Sequence, residues 1–274
     1  MAASPPHKNE KGRGLKLYTR EQLKNDLLLL GVVPGDTVLV HSSYKSLGGI
    51  EGGAEAFFKA FIELLGEDGT LVLPALSFDS VTMENPVFDI AASKSCVGYL
   101  SEYFRTQVAG VKRSLHATHS CCAVGKNADF LTSGHENDLT PVGENSPFFK
   151  LPQVGGKILM LGCKVSHNTS MHGVEETVDN PYCIDRKNPI EYTLICGDRV
   201  LKQTAYRHNF VDENGHHIKQ RYDKVTELLN DDEIKYGKVL DADCCLMDAA
   251  AVWREGRRAM MENAIYFVEY PEKK

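Results

Sequence analysis

The stretch TVLVHSSYKSLGGIEGGAEAFFKAFIELLGEDGTLVLP, residues 37–74, decides the fold. It opens with a mostly apolar run from Thr37 to His41, which predicts a buried strand. Small and polar residues follow, and AEAFFKAFIELLG then repeats apolar residues at helical spacing and closes at Gly66. TLVLP, from Thr70 to Pro74, predicts a second strand. Strand, glycine-rich loop, helix and strand form a βαβ unit, so we expect an α/β fold.

Further elements are predicted on both sides of this unit. Thr19 and Gln22 form the capping-box pattern of a helix that ends at Gly31. Residues 75–95 show no clear period, which is typical of a lid or binding loop, and a helix is expected over about 98–106. KILMLGC, residues 157–163, predicts another buried strand.

The C-terminal third mixes strands and helices. EYTLICGDRVLKQTAYRHNF, residues 191–210, alternates around a Gly197-Asp198 turn and predicts a hairpin. Helices are expected in DKVTELLND (223–231) and LMDAAAVWREGRRAMMENA (246–264), and a last short strand in IYFVE (265–269). We therefore expect an α/β fold with α+β character in its C-terminal half, in which a mixed central sheet has flanking helices. A single mixed sheet through both halves is one form that this fold can take. With no repeat or low-complexity linker, one domain is expected over 17–274 after a disordered tail over 1–16.

Composition and charge argue against several classes of protein. The formal net charge of −6 lacks the basic excess of nucleic-acid binding proteins and is compatible with a cationic small-molecule substrate. No apolar run approaches the roughly 18 residues of a membrane span, and the polar start MAASPPHKNEKGRG does not resemble a signal peptide. The 8 cysteines include no C-x-x-C pair. We therefore expect reduced, mostly buried thiols in a cytoplasmic protein.

Two segments are candidates for binding anionic groups. VHSS (40–43) ends a strand and opens a glycine-rich loop before a helix, an arrangement whose backbone N–H groups suit a pyrophosphate. An ordinary turn between strand and helix remains the alternative. RSLHATHS (113–120) offers Arg113 for phosphate and a His116-x-x-His119 pair. Two histidines do not make a metal site, and a loop with a surface histidine remains the alternative there.

A third segment, SHNTSMHGVEE (166–176), follows the strand KILMLGC directly. Asn168, Thr169 and Ser170 are good N-cap residues, so a helix is expected at a strand's carboxyl end, where ligands bind in open α/β sheets. His172 and Glu175 are three residues apart and share a helix face. A carboxylate near an imidazole can fix its tautomer and raise its basicity, as a general base requires. A structural or surface pair remains the alternative.

Together these segments resemble the aminoglycoside N(3)-acetyltransferase family, antibiotic acetyltransferases unrelated in fold to the GNAT superfamily. The similar segments stand in the family's order from about residue 18 to 270: VHSS with its glycine-rich turn, GTLVLP, RSLHATHSCCAVG, GENSPF, KILMLGCKVSHNTSMHGVEE and DADCCLMDAAAV. The family pattern R-S-x-H-P-x-x-S is matched except that Ala117 replaces the usual proline, and N-T-x-x-H-x-x-E is matched in full.

The resemblance implies direct transfer of an acetyl group from acetyl-CoA, without a metal, to the 3-amino group of a 2-deoxystreptamine aminoglycoside. His172 would take the proton of the attacking amine, and Glu175 would orient His172. Several relatives carry an acidic residue in the segment that corresponds to TAYRHNF, where it supports the catalytic histidine. Here we expect His208 to take its place.

The resemblance also implies binding residues. We expect acetyl-CoA to lie by His41, Ser42, Ser43, Lys45 and Ser46 at its pyrophosphate and by Arg113, Ser114, His116 and Ser120 at its pantetheine arm. We expect the cationic substrate to lie by Asp79, Asp89, Glu102, Asn168, Glu176 and His208.

Two other functions stay open from the sequence. The first is an acetyl-CoA-dependent acyltransferase of the same family that acts on a different amine. The second is a metal-dependent hydrolase that uses the His116-x-x-His119 pair and a carboxylate. We expect a monomer or a homodimer, with neither nucleic acid nor membrane as a partner.

Overall fold

A seven-stranded mixed sheet forms the centre of the protein, and helices cover both of its faces. The structure is a computed structural model that describes residues 17–212 and 214–270. The expected disordered tail over residues 1–16 lies outside the described residues, and the single domain over 17–274 stays a prediction.

Short strands and helices alternate along most of the chain. The strands are β1 Leu17–Tyr18, β2 Thr37–Ser42, β3 Gly49–Ile50, β4 Thr70–Pro74, β5 Val87–Asp89, β6 Lys112–Arg113, β7 Cys121–Gly125, β8 Lys157–Leu161, β9 Ile190–Cys196, β10 Arg199–Ala205, β11 Lys219–Gln220, β12 Ile234–Val239, β13 Ala242–Asp248 and β14 Val268–Glu269. The α-helices are α1 Arg20–Leu30, α2 Gly53–Leu65, α3 Tyr99–Gln107, α4 Ala128–Thr132, α5 Pro147–Lys150, α6 Ser170–Glu176 and α7 Ala249–Glu262. Short 3₁₀ helices span Tyr44–Leu47, His135–Asn137, Leu151–Val154, Val165–His167 and Tyr222–Glu227.

The predicted βαβ unit is confirmed at the middle of the sheet. The spatial order of the strands is β12-β13-β8-β2-β4-β7-β6, and β2 pairs in parallel with both β4 and β8. Helix α2 forms because its apolar side chains recur at helical spacing, and Phe57, Phe58 and Phe61 are buried against one face of the sheet. Helices α6 and α7 bury Met171 and Val252 against the opposite face. The expected α/β fold with a mixed central sheet and flanking helices is confirmed.

The carboxyl ends of β2 and β8 meet at one edge of this sheet. Their parallel register pairs His41 with Met160 and Ser42 with Leu161, and the backbone N–H of Ser43 donates to the Leu161 carbonyl at 2.9 Å. The VHSS turn follows β2 and helix α6 follows β8, so both lie at this edge of the sheet. Ligands bind beyond the carboxyl ends of parallel strands in open α/β sheets.

Three expectations for the C-terminal third need correction. The predicted hairpin forms from β9 and β10, but it pairs with β5 in a separate three-stranded sheet instead of joining the central one. The predicted helix over 223–231 is wrong, because only a short 3₁₀ helix forms at Tyr222–Glu227. The helix predicted over 246–264 begins three residues late, because residues 246–248 belong to β13. The Asp248 side chain accepts from the Ala251 N–H and caps α7, which starts at Ala249.

The cysteines are free and mostly buried, as the sequence predicts. All eight cysteines are free thiols, and five of them are buried, including the adjacent pairs in β7 and β13. Among the residues that the structure describes, no helix has the length and apolar character that crossing a membrane requires.

Candidate active site

Helix α6 carries the proposed catalytic pair into the protein. The Asn168 side chain accepts from the Ser170 N–H at 3.1 Å, which satisfies one donor of the first turn, while the N-cap residue Thr169 makes no capping hydrogen bond with its side chain. Gly173 faces α7 so closely that an added Cβ would come within 2.3 Å of the Trp253 ring. This close packing places His172 at the edge of the core, with 16% of its side chain exposed.

The Tyr222 hydroxyl lies between His172 and Glu175. Its oxygen is 2.7 Å from His172 Nδ1, and it donates to Glu175 Oε2 at 2.5 Å. The direct distance from His172 Nδ1 to Glu175 Oε2 is 3.8 Å, too long for a hydrogen bond. Because the single hydroxyl proton goes to the carboxylate, His172 Nδ1 must donate to the tyrosine oxygen. The other ring nitrogen, Nε2, then holds the lone pair.

Glu175 is fully buried and is held by two tyrosines. Tyr182 donates to Oε1 at 3.0 Å while Tyr222 donates to Oε2. Burial, followed by the nearby carboxylate, raises the pKa of Tyr222 well above its ordinary value, so this hydroxyl stays a proton donor. The carboxylate therefore acts on His172 through Tyr222.

A second carboxylate–imidazole pair adjoins the first. Glu176 Oε1 lies 2.6 Å from His208 Nε2, and the Val142 N–H donates to both oxygens of Glu176 at 3.0 and 3.1 Å. Burial raises the pKa of Glu176 to about 7 and lowers the pKa of His208 well below its ordinary value. Burial thus disfavours charge on either group. A hydrogen bond links Glu176 Oε1 and His208 Nε2, whichever of the two groups carries the shared proton.

Aromatic rings pack around His172. The ring centroid of His208 lies 4.7 Å from that of His172, that of Phe210 lies 5.0 Å away, and that of His119 lies 6.2 Å away. His41, at the end of β2, is buried, and burial, followed by His167 and His172, lowers its pKa to about 3. The rings of His119, His172 and His208 lie against one another, and we call these three residues the histidine cluster.

Residues 114–120 of the segment RSLHATHS are buried. The alternative of a loop with a surface histidine is therefore wrong. His116 Nδ1 accepts from the backbone N–H groups of Thr118 and His119, and its ring stacks on His135 with centroids 4.5 Å apart. The Ser114 hydroxyl lies 3.0 Å from His135 Nδ1 and accepts from the Cys121 N–H. These contacts give Ser114 and His116 roles in holding the segment in place.

Arg113 fastens the loop over residues 75–95. Its guanidinium donates to the carbonyls of Ile90, Ser93 and Ala75, and to the Ser120 hydroxyl. It also lies over the Phe88 ring, 4.7 Å from the centroid. The donors expected to meet the pantetheine arm are therefore used within the protein, and the expected lid or binding loop is an anchored segment that carries β5.

The acidic residues expected to bind substrate divide into two groups. Glu176 lies in the histidine cluster region, beside His208. Asp89 instead accepts from the N–H groups of Ala91 and Ala92, and Glu102 forms an ion pair with Arg105. Asp79 is exposed in the loop that Arg113 anchors. The structure thus places Glu176 beside His208, whose ring packs on His172, and uses Asp89 and Glu102 in local contacts.

The VHSS turn packs against the end of β8. Ser46 Oγ lies 2.8 Å from Ser43 Oγ and donates to the Gly162 carbonyl at 3.0 Å. Gly162 has a φ of +68°, and an added Cβ would lie 2.7 Å from the Ser46 Cβ, so only glycine allows this approach. Lys45 points outward from the same turn and is exposed. The turn offers hydroxyls and a cation beside the edge that carries His172.

The histidines of the His116-x-x-His119 pair are engaged in local contacts. In the parts of the chain described, 17–212 and 214–270, no group of three or more His, Cys, Asp or Glu side chains is placed to hold a metal ion. His116 Nδ1 already accepts two backbone N–H groups, and His119 Nδ1 lies 2.9 Å from the Thr118 hydroxyl.

Four side chains of the site were missed from the sequence: Tyr182, Tyr222, Phe210 and, as a neighbour of His172, His119. Tyr222 is 50 residues from His172 along the chain, so helical spacing could not pair them. His119 was noted only as half of a metal pattern. The signal that the sequence offers for His119 is a second histidine three residues after His116.

Known proteins of one family are similar to this chain. A family model described as aminoglycoside 3-N-acetyltransferase matches residues 39–261. The chain is 32% identical over 216 residues to aminoglycoside N(3)-acetyltransferase VII of Streptomyces paromomycinus, and these residues cover 72% of each protein. It is 30% identical over 251 residues to the SPbeta prophage-derived aminoglycoside N(3')-acetyltransferase-like protein YokD of Bacillus subtilis strain 168, covering 83% of this chain and 87% of the relative.

Other relatives are matched over less of their length. Aminoglycoside N(3)-acetyltransferase III of Salmonella sp. is 34% identical over 181 residues, which is 60% of this chain. This chain spans 63% of the length of that relative, so less than two thirds of it.

Solved structures share the fold. Aminoglycoside acetyltransferase AAC(3)-IVa, in a histidine-to-alanine variant complexed with a gentamicin, superposes with a TM-score of 0.79 and 26% identity over 95% of both chains. AAC-IIIb in a binary complex with CoASH gives a TM-score of 0.75 and 26% identity over 93% of this chain and 100% of the other.

Proposed function

Because the chain belongs to the aminoglycoside 3-N-acetyltransferase family, we propose that it transfers the acetyl group of acetyl-CoA to the 3-amino group of a 2-deoxystreptamine aminoglycoside. The observation that carries the proposal is the hydrogen-bond chain from His172 through Tyr222 to Glu175. These hydrogen bonds leave a lone pair on Nε2 of His172, the partly exposed residue of the three.

In the proposed reaction His172 is the general base. The amine nitrogen forms a bond to the thioester carbon as its proton moves to Nε2, and the C–S bond breaks to release the thiol of coenzyme A. Tyr222 and Glu175 stabilise the imidazolium that results, since its Nδ1–H already donates toward the carboxylate through the tyrosine oxygen. Positioning of the two substrates supplies much of the remaining rate.

Direct transfer is favoured over an acyl-enzyme on a cysteine. Cys121 and Cys122 are buried in β7, and burial raises the pKa of Cys122 to about 12. A thiol with such a pKa is a poor nucleophile at neutral pH. Burial likewise raises the pKa of Cys163, the partly buried thiol nearest to α6 in sequence, to about 11.

For acetyl-CoA we propose the turn that follows β2. A relative's structure is a complex with CoASH, and in this chain Ser43, Lys45 and Ser46 lie beside the edge that carries His172. His41 and Ser42 form the end of β2, directly before this turn. Arg113, Ser114, His116 and Ser120 would support the pantetheine arm by fixing the segments around it, since their hydrogen bonds are made within the protein.

The cationic substrate would lie against the acidic side of the histidine cluster. Glu176 is hydrogen-bonded to His208, whose ring packs on His172, and Asn168 accepts from the Ser170 N–H in the first turn of the same helix. The net charge of −6 favours approach of a polycation, to which Asp79, Asp89 and Glu102 contribute at longer range. A cytoplasmic location, supported by the eight free thiols, and a monomeric or homodimeric state complete the proposal.

A panel assay tests the proposed substrate. Release of the coenzyme A thiol from acetyl-CoA is measured with a set of 2-deoxystreptamine aminoglycosides and with simple amines as controls, and the position of acetylation is read by NMR. The proposal expects turnover with aminoglycosides and acetylation of the 3-amino group. Turnover with the simple amines alone contradicts it, as does activity that disappears with a chelator and returns with zinc.

The same reaction on a different amine is the second candidate. His208 stands where several relatives are expected to carry an acid, and Asp89 and Glu102 are occupied in local contacts. The region around His172 therefore offers fewer free carboxylates to a polycation than the sequence predicts. In the panel assay, an amine other than an aminoglycoside with the highest kcat/KM would favour this candidate.

A further inference from the structure

Two arginines lie beside His208, the histidine whose ring packs on that of His172. Arg207 directly precedes His208 in the chain, and Arg186 lies on the segment that pairs with it. An antiparallel β-bridge joins Ile184 to His208, so Arg186 stands only two residues beyond the paired position. The two arginines therefore lie at the edge of the proposed acceptor site, and we call them the arginine pair.

The side chains of the arginine pair are open to solvent. Arg186 is exposed and Arg207 is partly exposed, and within residues 17–212 and 214–270 neither guanidinium has an ion-pair or hydrogen-bond partner. The nearby carboxylates make other contacts. Asp185, whose N–H donates to the Arg207 carbonyl, accepts from the Asn188 side chain at 2.8 Å, and Glu84 is hydrogen-bonded within its own turn. The donors of both guanidinium groups are thus left for a ligand.

The charges of the arginine pair reach the groups around the proposed base. Burial, followed by neighbouring histidines and the charge of Arg207, lowers the pKa of both His119 and His208. Burial raises the pKa of Glu176 to about 7, and hydrogen bonds followed by two nearby charges, of which Arg186 is one, oppose that rise. A guanidinium stays protonated at any pH of interest, whereas burial favours the neutral forms of the other groups. The fixed charges at this edge are therefore positive.

An anion is the group that an arginine without a partner fits best. The planar guanidinium offers a fork of N–H donors that matches a carboxylate or a phosphate with two parallel hydrogen bonds. Phe78, which is 38% exposed, has its ring centroid 6.1 Å from that of His119 and offers an apolar face to the carbon skeleton of a ligand. Because Arg207 directly precedes His208, whose ring lies 4.7 Å from that of His172, one small molecule can reach from Arg207 to His172.

We propose that the arginine pair binds the anionic group, a carboxylate or a phosphate, of an amine that the protein acetylates, with Arg207 as the main contact. The inference rests on the proposed acetyl transfer by His172, and it names the substrate class for the second candidate, the same reaction on a different amine. The amine of this acceptor lies at His172 Nε2 and reacts with the thioester as described above. The anion takes no part in making or breaking bonds and stays on the arginine pair.

Acceptors that are matched except for the anion test the proposal. Thiol release from acetyl-CoA is measured with glucosamine 6-phosphate against glucosamine, and with 4-aminobutyrate against 4-aminobutanamide. The first pair of acceptors tests a phosphate and the second tests a carboxylate. The wild type should show a kcat/KM about tenfold or more higher for the anionic member of at least one pair, since a hydrogen bond to a charged group has about that effect on affinity.

Variants of Arg207 assign the preference to this residue. Arg207→Gln should raise KM for the preferred anionic acceptor by about ten- to a hundredfold while kcat and the KM for the neutral acceptor do not change. Its KM for an aminoglycoside should not rise, because the variant removes a positive charge. Arg207→Lys keeps the charge without the fork, so its KM should rise less. The matched control is Arg199→Gln at the far end of β10, which should keep the wild-type constants.

The proposal is overturned if the wild type uses both members of each pair equally or prefers the neutral ones. It is also overturned if Arg207→Gln keeps the wild-type KM, or raises KM equally for the anionic and neutral acceptors. Aminoglycosides assayed beside these acceptors separate this result from failure of the proposed function. Turnover of aminoglycosides without a preference for anions overturns the inference alone, whereas turnover of the anionic amines alone supports it and overturns the aminoglycoside assignment. A wild type that releases no thiol with any amine overturns both.

Discussion

The hydroxyl of Tyr222 separates His172 from Glu175, with its oxygen 2.7 Å from the imidazole Nδ1 and 2.5 Å from the carboxylate Oε2. The two residues on helix α6 therefore communicate through a third residue from a 3₁₀ helix far along the chain. Because the tyrosine proton goes to the carboxylate, the arrangement selects the imidazole tautomer that leaves Nε2 free.

Removing the bridging hydroxyl should lower the rate. In Tyr222→Phe, His172 Nδ1 loses its acceptor and the tautomer is no longer selected, so kcat should fall by about ten- to a hundredfold, part of the 10² to 10⁴ that a positioned base contributes. The matched control is Tyr182→Phe, since Tyr182 donates to Glu175 without touching His172. Steady-state thiol release checks both, and wild-type kcat in Tyr222→Phe would show that the bridge has no catalytic role.

The pair of Glu176 and His208 predicts a non-additive result. His208→Asp would place a second carboxylate against buried Glu176, and the repulsion should reduce both stability and activity. Glu176→Gln in the same chain removes one of the two charges, and its amide oxygen can still accept from the Val142 N–H. The double variant should therefore be more stable and more active than His208→Asp. Urea unfolding and thiol release of the two single variants and the double variant measure the coupling, and additive effects would contradict it.

Arg113 should be irreplaceable by lysine. The guanidinium reaches four acceptors on three segments, which a single ammonium group cannot do. Arg113→Lys should lower the free energy of unfolding by about 2–4 kcal/mol, because the carbonyls of Ile90, Ser93 and Ala75 each lose a charged donor. Amide hydrogen exchange should also quicken over residues 75–95. Arg199→Lys, at the exposed start of β10, is the control, and equal exchange in both variants would refute the anchoring role.

Stability should fall as the pH drops below about 6.5, the usual imidazole pKa. Burial lowers the pKa of five histidines: His41, His116, His119, His135 and His208. The unfolded chain takes up these protons first, so each histidine costs about 1.4 kcal/mol of stability per pH unit below that value, down to about pH 3 for His41 and His116. Glu176 acts in the opposite sense between its ordinary pKa of 4.5 and its raised value of about 7, but it is one group against five.

Urea unfolding midpoints between about pH 7.5 and 5 measure this slope. His116→Asn should reduce the slope by about one proton while an amide oxygen replaces the accepting Nδ1. A stability that stays level or rises toward acid pH would show that the buried histidines are protonated in the folded protein.

Local patterns in the sequence predicted helices and strands of the fold and two residues of the site, His172 and Glu175. The capping box of Thr19 and Gln22 forms, α2 ends at Gly66, and β2 pairs with β4 as the βαβ pattern requires. These signals lie within one helix or between neighbouring elements, so spacing along the chain reveals them. His172 and Glu175 belong to the same class, since three residues on one helix place them together.

Contacts between distant segments could not be predicted in this way. Tyr222 reaches Glu175 across 47 residues, and His208 reaches Glu176 across 32. Residues 223–231 have helical spacing, yet the segment forms only a 3₁₀ helix, in which Tyr222 and Val225 are buried. Arg113 matched a family pattern, but its acceptors are backbone carbonyls, which carry no sequence signal.

The central claim is that His172 is the base and that it is not needed to hold the cosubstrate. The most direct measurement compares His172→Ala with the wild type in two assays: thiol release from acetyl-CoA in the presence of an aminoglycoside, and calorimetric binding of coenzyme A. The expected result is a loss of turnover by about 10² to 10⁴ with an unchanged Kd for coenzyme A. Turnover that survives in His172→Ala would contradict the claim.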